Sequence, residues 1–112
     1  MRCIQLAILI TVFLLAGCGI LSKGALYGAR NDIENKEYVS ALNNLTDANF
    51  SDLSEEQKEE VSFLRAKALY GLNRTEEALA VLTFMIEKYP DSKFGPQAKG
   101  LLKKWSEKIS SK

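Results

Sequence analysis

Histidine is absent from the 112 residues, and the two cysteines, Cys3 and Cys18, both fall near the start. The chain therefore lacks the commonest general base and metal ligand. Carboxylates come in adjacent pairs, Glu55-Glu56 and Glu76-Glu77. Neighbouring residues on a helix point in different directions, so each pair reads as favourable charge at a helix N-terminus, not as an acid–base couple. No Gly-rich phosphate loop, GxSxG elbow or HExxH pair is present. These patterns argue against an enzyme, a metal site and a diffusible cofactor. What remains to do chemistry is one thiol, Cys18, and the surface.

Cys18 follows Leu15-Ala16-Gly17, and these close an apolar run from Ile4 to Leu15 broken only by Gln5 and Thr11. Arg2 supplies a minimal positive start, and the run has the length of a signal h-region. Leu15-Ala16-Gly17-Cys18 resembles a bacterial lipobox, at which a secreted precursor is lipidated on cysteine and then cut. The resemblance implies a signal peptide over 1–17 and a lipidated Cys18, carrying palmitate-type chains, with a short tether over 18–21. Each buried methylene of such a chain contributes about 0.8 kcal/mol, and two chains anchor stably. In Gram-negative lipoproteins an Asp after the cysteine marks inner-membrane retention. Gly19 stands there instead, so the resemblance implies the outer membrane, with the domain facing the periplasm. A competing reading is a spanning helix from Ile4 to Leu21, about eighteen residues and near the lower limit for a span.

On the lipobox reading Cys3 leaves with the signal and no cysteine remains for a disulfide or a metal. The covalent lipid on Cys18 is then the one non-protein group expected. Residues 22–112 are long enough for one small domain. Their acidic and basic side chains balance, so there is no global field for nucleic acid. Charge is patterned locally: Ser54 to Glu60 is acidic, while Lys93 to Lys112 carries six lysines against one glutamate.

The elements that must position this surface read as helices. The only prolines are Pro90 and Pro96, and no alternating apolar stretch supports a strand. Glu59 to Ser92 holds a unit of helix, turn, helix and stop. It runs through Ala66, Ala68-Leu69-Tyr70, Asn73-Arg74-Thr75, Ala78-Leu79, Leu82, Met85 and Pro90. Thr75 is the expected N-cap of its second helix, and Pro90 ends that helix near Tyr89. Tyr38-Val39-Ser40-Ala41-Leu42 with Leu45 repeats the second half 37 residues earlier, and Ala29 parallels Ala66. Ser54-x-x-Gln57 reads as a capping box. Pro96 falls one further step on, a tolerated first helical residue, and Leu101, Leu102, Trp105 and Ile109 make a final apolar stripe.

The unit resembles a tetratricopeptide repeat, the 34-residue helix–turn–helix module. Ala66 stands at the helix-contact position, Ala78 at the signature Ala, Leu82 at the large apolar place and Pro90 at the end. Departures are Ser62 in place of the early Trp, Arg65 in place of a Leu, and Asp32 where the earlier copy needs an apolar residue. The run Tyr89-Pro90-Asp91-Ser92 leading to Pro96-Gln97-Ala98 is similar to envelope tetratricopeptide lipoproteins of the barrel-assembly and Tol-Pal coordinator type. The fold expected is all-α: a short tetratricopeptide-like α-solenoid of about two and a half units after a lipoprotein signal peptide. Its five helices fall at about 22–35, 37–48, 54–72, 75–89 and 96–109, the last a cap on the array.

In this type of repeat the first helix of each unit lines the concave face. With units starting at 22, 59 and 96, the ninth position gives Arg30, Lys67 and Lys104. The fifth gives Leu26, Phe63 and Gly100, and the twelfth Ile33, Tyr70 and Glu107. A row of cations flanked by apolar side chains suits an extended peptide with acidic groups or a free carboxylate. The competing reading is that the lysines are ordinary solvated face and that Phe63 and Tyr70 are core. Val81 and Phe84 lie toward the outer side of the fourth helix, either covered or exposed as a contact site. The function expected is an adaptor or scaffold for protein partners in the cell envelope, held to the membrane by lipid. The alternative is a structural tether whose basic last helix contacts anionic lipid or cell wall.

Overall fold

In the computed structural model of the chain, residues 24–47 and 52–110 are described, and all regular structure among them is helical. Five helices follow in order: α1, described over 24–34; α2, Tyr38–Asp47; α3, Glu55–Gly71; α4, Thr75–Lys88; and α5, Gly95–Ser110. Wherever a terminus is described it falls within one residue of the expected bound. The signal segment 1–17 with Leu15-Ala16-Gly17, Cys18 and the tether to residue 21 lie outside the described residues. Among the described residues no helix is long and apolar enough to cross a membrane.

The α1–α2 and α3–α4 turns are built alike. Lys36 (φ 61°) and Asn73 (φ 63°), 37 residues apart, both adopt the left-handed conformation. The Lys36 N–H donates to the Ile33 carbonyl at 3.1 Å and the Asn73 N–H to that of Tyr70 at 3.0 Å. One residue on, Glu37 donates to Asp32 at 2.7 Å and Arg74 to Leu69 at 2.9 Å. These paired bonds are the Schellman termination, which satisfies the last carbonyls of a helix and reverses the chain. Asn is suited to the left-handed residue; Lys adopts it at a steric cost.

Helix starts are set locally. At α3 the Ser54 hydroxyl accepts from the Gln57 N–H at 3.2 Å, and the Ser54 N–H donates to the Gln57 Oε1 at 2.9 Å. The capping box read from sequence is thus present. Thr75 is not the N-cap of α4. Arg74 holds that place, without a side-chain cap, and Thr75 is the first helical residue. The reason is the turn: Arg74 donates back to Leu69 while its carbonyl accepts from Ala78 at 3.0 Å, so the helix opens one residue early. Helix α5 also opens one residue early, at Gly95, with Pro96 in its first turn where no N–H is needed.

Packing is sequential: α2 against α3, α3 against α4, and α4 against α5. Phe63, Leu69, Leu82, Met85 and Trp105 form one core cluster across α3, α4 and α5. Leu26, Leu45, Leu53, Val61 and Leu64 form a second, across α1, α2, α3 and the segment that leads into α3. Ala29, Ala66, Ala41 and Ala78 are fully buried, and their small side chains let neighbouring helices approach closely. Leu82 and Met85 are also fully buried; such burial contributes about 1.5–3 kcal/mol per side chain.

Asp32 shows how this fold absorbs a polar residue at an interior position. It is buried, and its Oδ2 accepts from Ser40 Oγ at 2.8 Å and from Asn44 Nδ2 at 2.7 Å. Both donors lie on α2, so the carboxylate ties α1 to α2, and hydrogen bonding offsets the cost of burying it. Gly71, the last residue of α3, supplies a different junction. A Cβ there would stand 2.5 Å from Cδ2 and Cζ of the Tyr38 ring, so the ring of α2's first residue lies directly on the glycine backbone.

Candidate functional site

Helices α1, α3 and α5 carry the residues expected to form a peptide-binding row. Leu26 and Phe63 are core side chains, 2% and 3% exposed, and support this face from beneath. The Phe63 ring stacks on Phe94 at 5.2 Å, and Lys67 Nζ lies 4.6 Å above the Phe63 ring. Ile33 is half-buried against the Leu26 cluster. Tyr70 is half-buried, its ring stacked on Trp105 with centroids 4.1 Å apart and nearly parallel planes, while Lys108 donates to its hydroxyl at 3.0 Å. Gly100 and Lys104 are exposed on α5, with open space where a Gly100 side chain would be.

The cations of that row are not equivalent. Arg30 is engaged across helices: its Nη2 donates to Glu60 Oε2 at 2.6 Å, and its Nε to Glu60 Oε1. This bidentate pair joins α1 to α3, and the hydrogen bond to Glu60 raises the guanidinium pKa further. Lys67 leans on an aromatic ring and Lys104 projects into solvent. Arg30 is thus engaged in an ion pair between helices, while Lys67, Gly100 and Lys104 carry no such pair among the described residues and make up the part of the row open to a partner.

The acidic start of α3 and the basic C-terminal segment meet in space. Glu56 pairs with Lys93, which sits in the turn before α5. That hydrogen bond holds the Glu56 carboxyl below the usual carboxylate range and the Lys93 ammonium above its usual value. Both groups are exposed, so the pair is screened by salt.

A second surface lies on the outer side of α3 and α4. Lys58, Ser62 and Arg65 of α3 face Ala80, Val81, Phe84 and Lys88 of α4 across a groove of about 520 Å³, with Tyr89 closing one end. Past Arg65 and Val81 the depression continues between α2 and α4, where Leu42, Leu69 and Glu77 line it. Phe84 is half-exposed, so at this position the exposed alternative holds and the covered one does not; Val81 is half-buried. Lys88 Nζ lies 5.3 Å from the Phe84 ring centre and 5.6 Å from that of Tyr89, placing charge over aromatic surface. Sequence reasoning gave no role to Arg65. Its signal was the departure itself, a charged residue at a place the repeat fills with Leu.

The described residues contain no group of His, Cys, Asp and Glu arranged to hold a metal ion. The geometry on both faces is that of side chains offered for contact: cations beside aromatic and aliphatic surface. Comparison with protein-family models, curated proteins and solved structures finds no match to this chain.

Proposed function

We propose that this chain is a membrane-anchored adaptor of the tetratricopeptide type, a lipoprotein held through Cys18 that brings protein partners together in a bacterial cell envelope. The observation that carries the reading is the 37-residue recurrence of a whole turn. Left-handed Lys36 and Asn73, their matched backbone bonds, and the buried pairs Ala29/Ala66 and Ala41/Ala78 mark two copies of one helical hairpin. Repeated hairpins stack to bury a continuous core and leave an extended surface, which suits recognition. The packing of α5 on α4, with Trp105 buried, supports its role as the capping helix. On this reading the partner face is formed by α1, α3 and α5, with Lys67 and Lys104 as its open cations.

The lipobox-like Leu15-Ala16-Gly17-Cys18 supports anchoring in the outer membrane, with the domain toward the periplasm. A tether from Cys18 to residue 22 reaches roughly 13–15 Å when extended, so partners would be met at the bilayer. A second reading, a structural tether to anionic lipid or wall, rests on one observation: Lys99, Lys103 and Lys104 are all exposed on α5.

In-cell crosslinking tests the adaptor reading. A discrete partner in stoichiometric yield, lost with Lys67→Glu plus Lys104→Glu, is the expected result. Salt-sensitive retention on lipid or wall with no protein partner would replace it with the tether. Labelled palmitate should enter the chain and be lost in Cys18→Ala; an intact N-terminus in the mature protein would overturn the anchor.

A further inference from the structure

The outer groove between α3 and α4 has a charge that the fold does not use. Its ionisable cations are Lys58, Arg65 and Lys88, and no carboxylate lines this part of it. Lys58 is answered by Glu55 at 3.2 Å, one turn away on its own helix. Arg65 and Lys88 have no carboxylate partner among the described residues. Arg65 is exposed in the middle of the groove, and Lys88 stands over the aromatic rings of Phe84 and Tyr89. Where the depression runs on toward α2 the charge is already balanced, since Arg74 pairs with Glu77 at 2.5 Å. Arg65 stands where the two parts meet, so the surface is cationic and aromatic toward Lys88 and more aliphatic toward Leu42, where the Arg74–Glu77 pair lies.

We propose that this outer groove binds a short peptide segment of a partner protein in which carboxylates flank a bulky apolar side chain. The apolar side chain packs against Val81 and the half-exposed face of Phe84. One carboxylate is taken by the Arg65 guanidinium, whose planar fork matches carboxylate geometry, and a second by Lys88. Unpaired cations beside exposed apolar surface favour an anionic, apolar ligand over a basic or purely polar one, because desolvation strengthens charge pairing where water is excluded. The site is separate from the α1, α3 and α5 face and does not depend on the lipid anchor. A peptide held here leaves Lys67 and Lys104 free, so the two faces could serve two partners at once.

The test uses the full-length chain in lipid nanodiscs and three fluorescein-labelled eight-residue peptides. One has aspartates on both sides of a phenylalanine, one has lysines in their place, and one has alanine for the phenylalanine. Fluorescence anisotropy should show saturable binding of the first alone. Arg65→Glu with Lys88→Glu should weaken it at least tenfold, Phe84→Ser should weaken it comparably, and Arg65→Lys should weaken it less than the reversal, since it keeps the charge and loses the planar fork. Amide shifts on adding the peptide should centre on Arg65, Val81 and Phe84. All three substituted side chains are exposed, and unchanged thermal unfolding checks that the variants fold. Equal binding of the lysine peptide, indifference to the Arg65 and Lys88 reversals, or shifts centred on Lys67 and Lys104 would each overturn the proposal. The last outcome would leave the adaptor reading standing. Self-association lost with Phe84→Ser, or vesicle binding without peptide binding, would give the groove to a second copy or to lipid and overturn it equally.

Discussion

At matched positions 37 residues apart, the first hairpin places Asp32, Ser40 and Asn44 where the second has Leu69, Glu77 and Val81. The turns between the helices have a left-handed residue at the same position and the same backbone bonds, yet the interiors are held by different physics. In the first hairpin a buried carboxylate receives two hydrogen bonds from α2. In the second, Leu69 is buried in an apolar cluster, Glu77 turns outward to Arg74, and Val81 lies at the edge of the outer groove. The difference teaches that the fold is specified by turn geometry and small-residue contacts, and that the positions between them are free to specialise. The first hairpin uses these polar positions to tie α1 to α2. The second closes with apolar contacts and leaves Val81 and Glu77 to shape a surface.

The strongest way to break this comparison is to exchange the two interiors. Leu69→Asp places a carboxylate among Leu82, Met85 and their neighbours, where the second hairpin offers no matching donors. A loss of about 3–5 kcal/mol is expected, read by urea unfolding of the full chain. Tolerance of Leu69→Asp would show that the second hairpin can build the same polar knot. Asp32→Ala should cost about 1–3 kcal/mol by leaving the Ser40 and Asn44 donors without their acceptor. Asp32→Asn should recover part of it, and Asp32→Leu with Asn44→Val should approach the apolar solution of the second hairpin.

The junction between hairpins should respond next. Gly71→Ala drives a methyl into the Tyr38 ring and should cost about 1–3 kcal/mol. Tyr38→Ala should relieve that clash, so the double variant will be less destabilised than the sum of the singles. Equal additivity would mean the ring does not rest on Gly71. Arg30→Ala removes a half-exposed bidentate pair and should cost up to about 1 kcal/mol, less at high salt.

The smallest effect concerns the Glu56–Lys93 pair. Glu56 has its carboxyl pKa depressed in the folded chain, so its contribution is present above the unfolded value and fades as pH falls through the folded one. Lys93 is raised, so its share persists below the unfolded value and is lost as pH rises through the folded one. A Glu56→Gln variant should therefore show a slightly flatter stability–pH curve on the acid side. A curve identical to that of the unsubstituted chain, at low salt, would show that the pair adds nothing to folding.

Much of this molecule was legible because its signals are local. Helix ends depend on residues within a turn of one another, so the Ser54–Gln57 box and the stop at Pro90 could be read directly. Thr75 was misplaced by one residue because the Schellman bond from Arg74 to Leu69 competes with side-chain capping, and that bond is visible only in the folded turn. The recurrence of Ala29 with Ala66 and of Ala41 with Ala78 was equally plain, since burial at a helix contact restricts size. The site was less so. Leu26 and Phe63 fell on the candidate face by position in the repeat, with a core role also open for Phe63, and burial puts both in the core, because position alone does not say which way a side chain leans.

The sequence by itself determined the helical class, the 37-residue period, the hairpin boundaries and the absence of histidine chemistry. Only the tertiary structure decided which charges are spent and which are open. Arg30 meets Glu60 thirty residues away, and Glu56 on α3 meets Lys93 in the turn before α5. Asp32 is satisfied by donors on the following helix, while Arg65 and Lys88 are left facing Phe84. Helix formation is governed by neighbours three and four residues apart. Pairing and burial are governed by what packing brings within a few ångströms, and no local pattern encodes that.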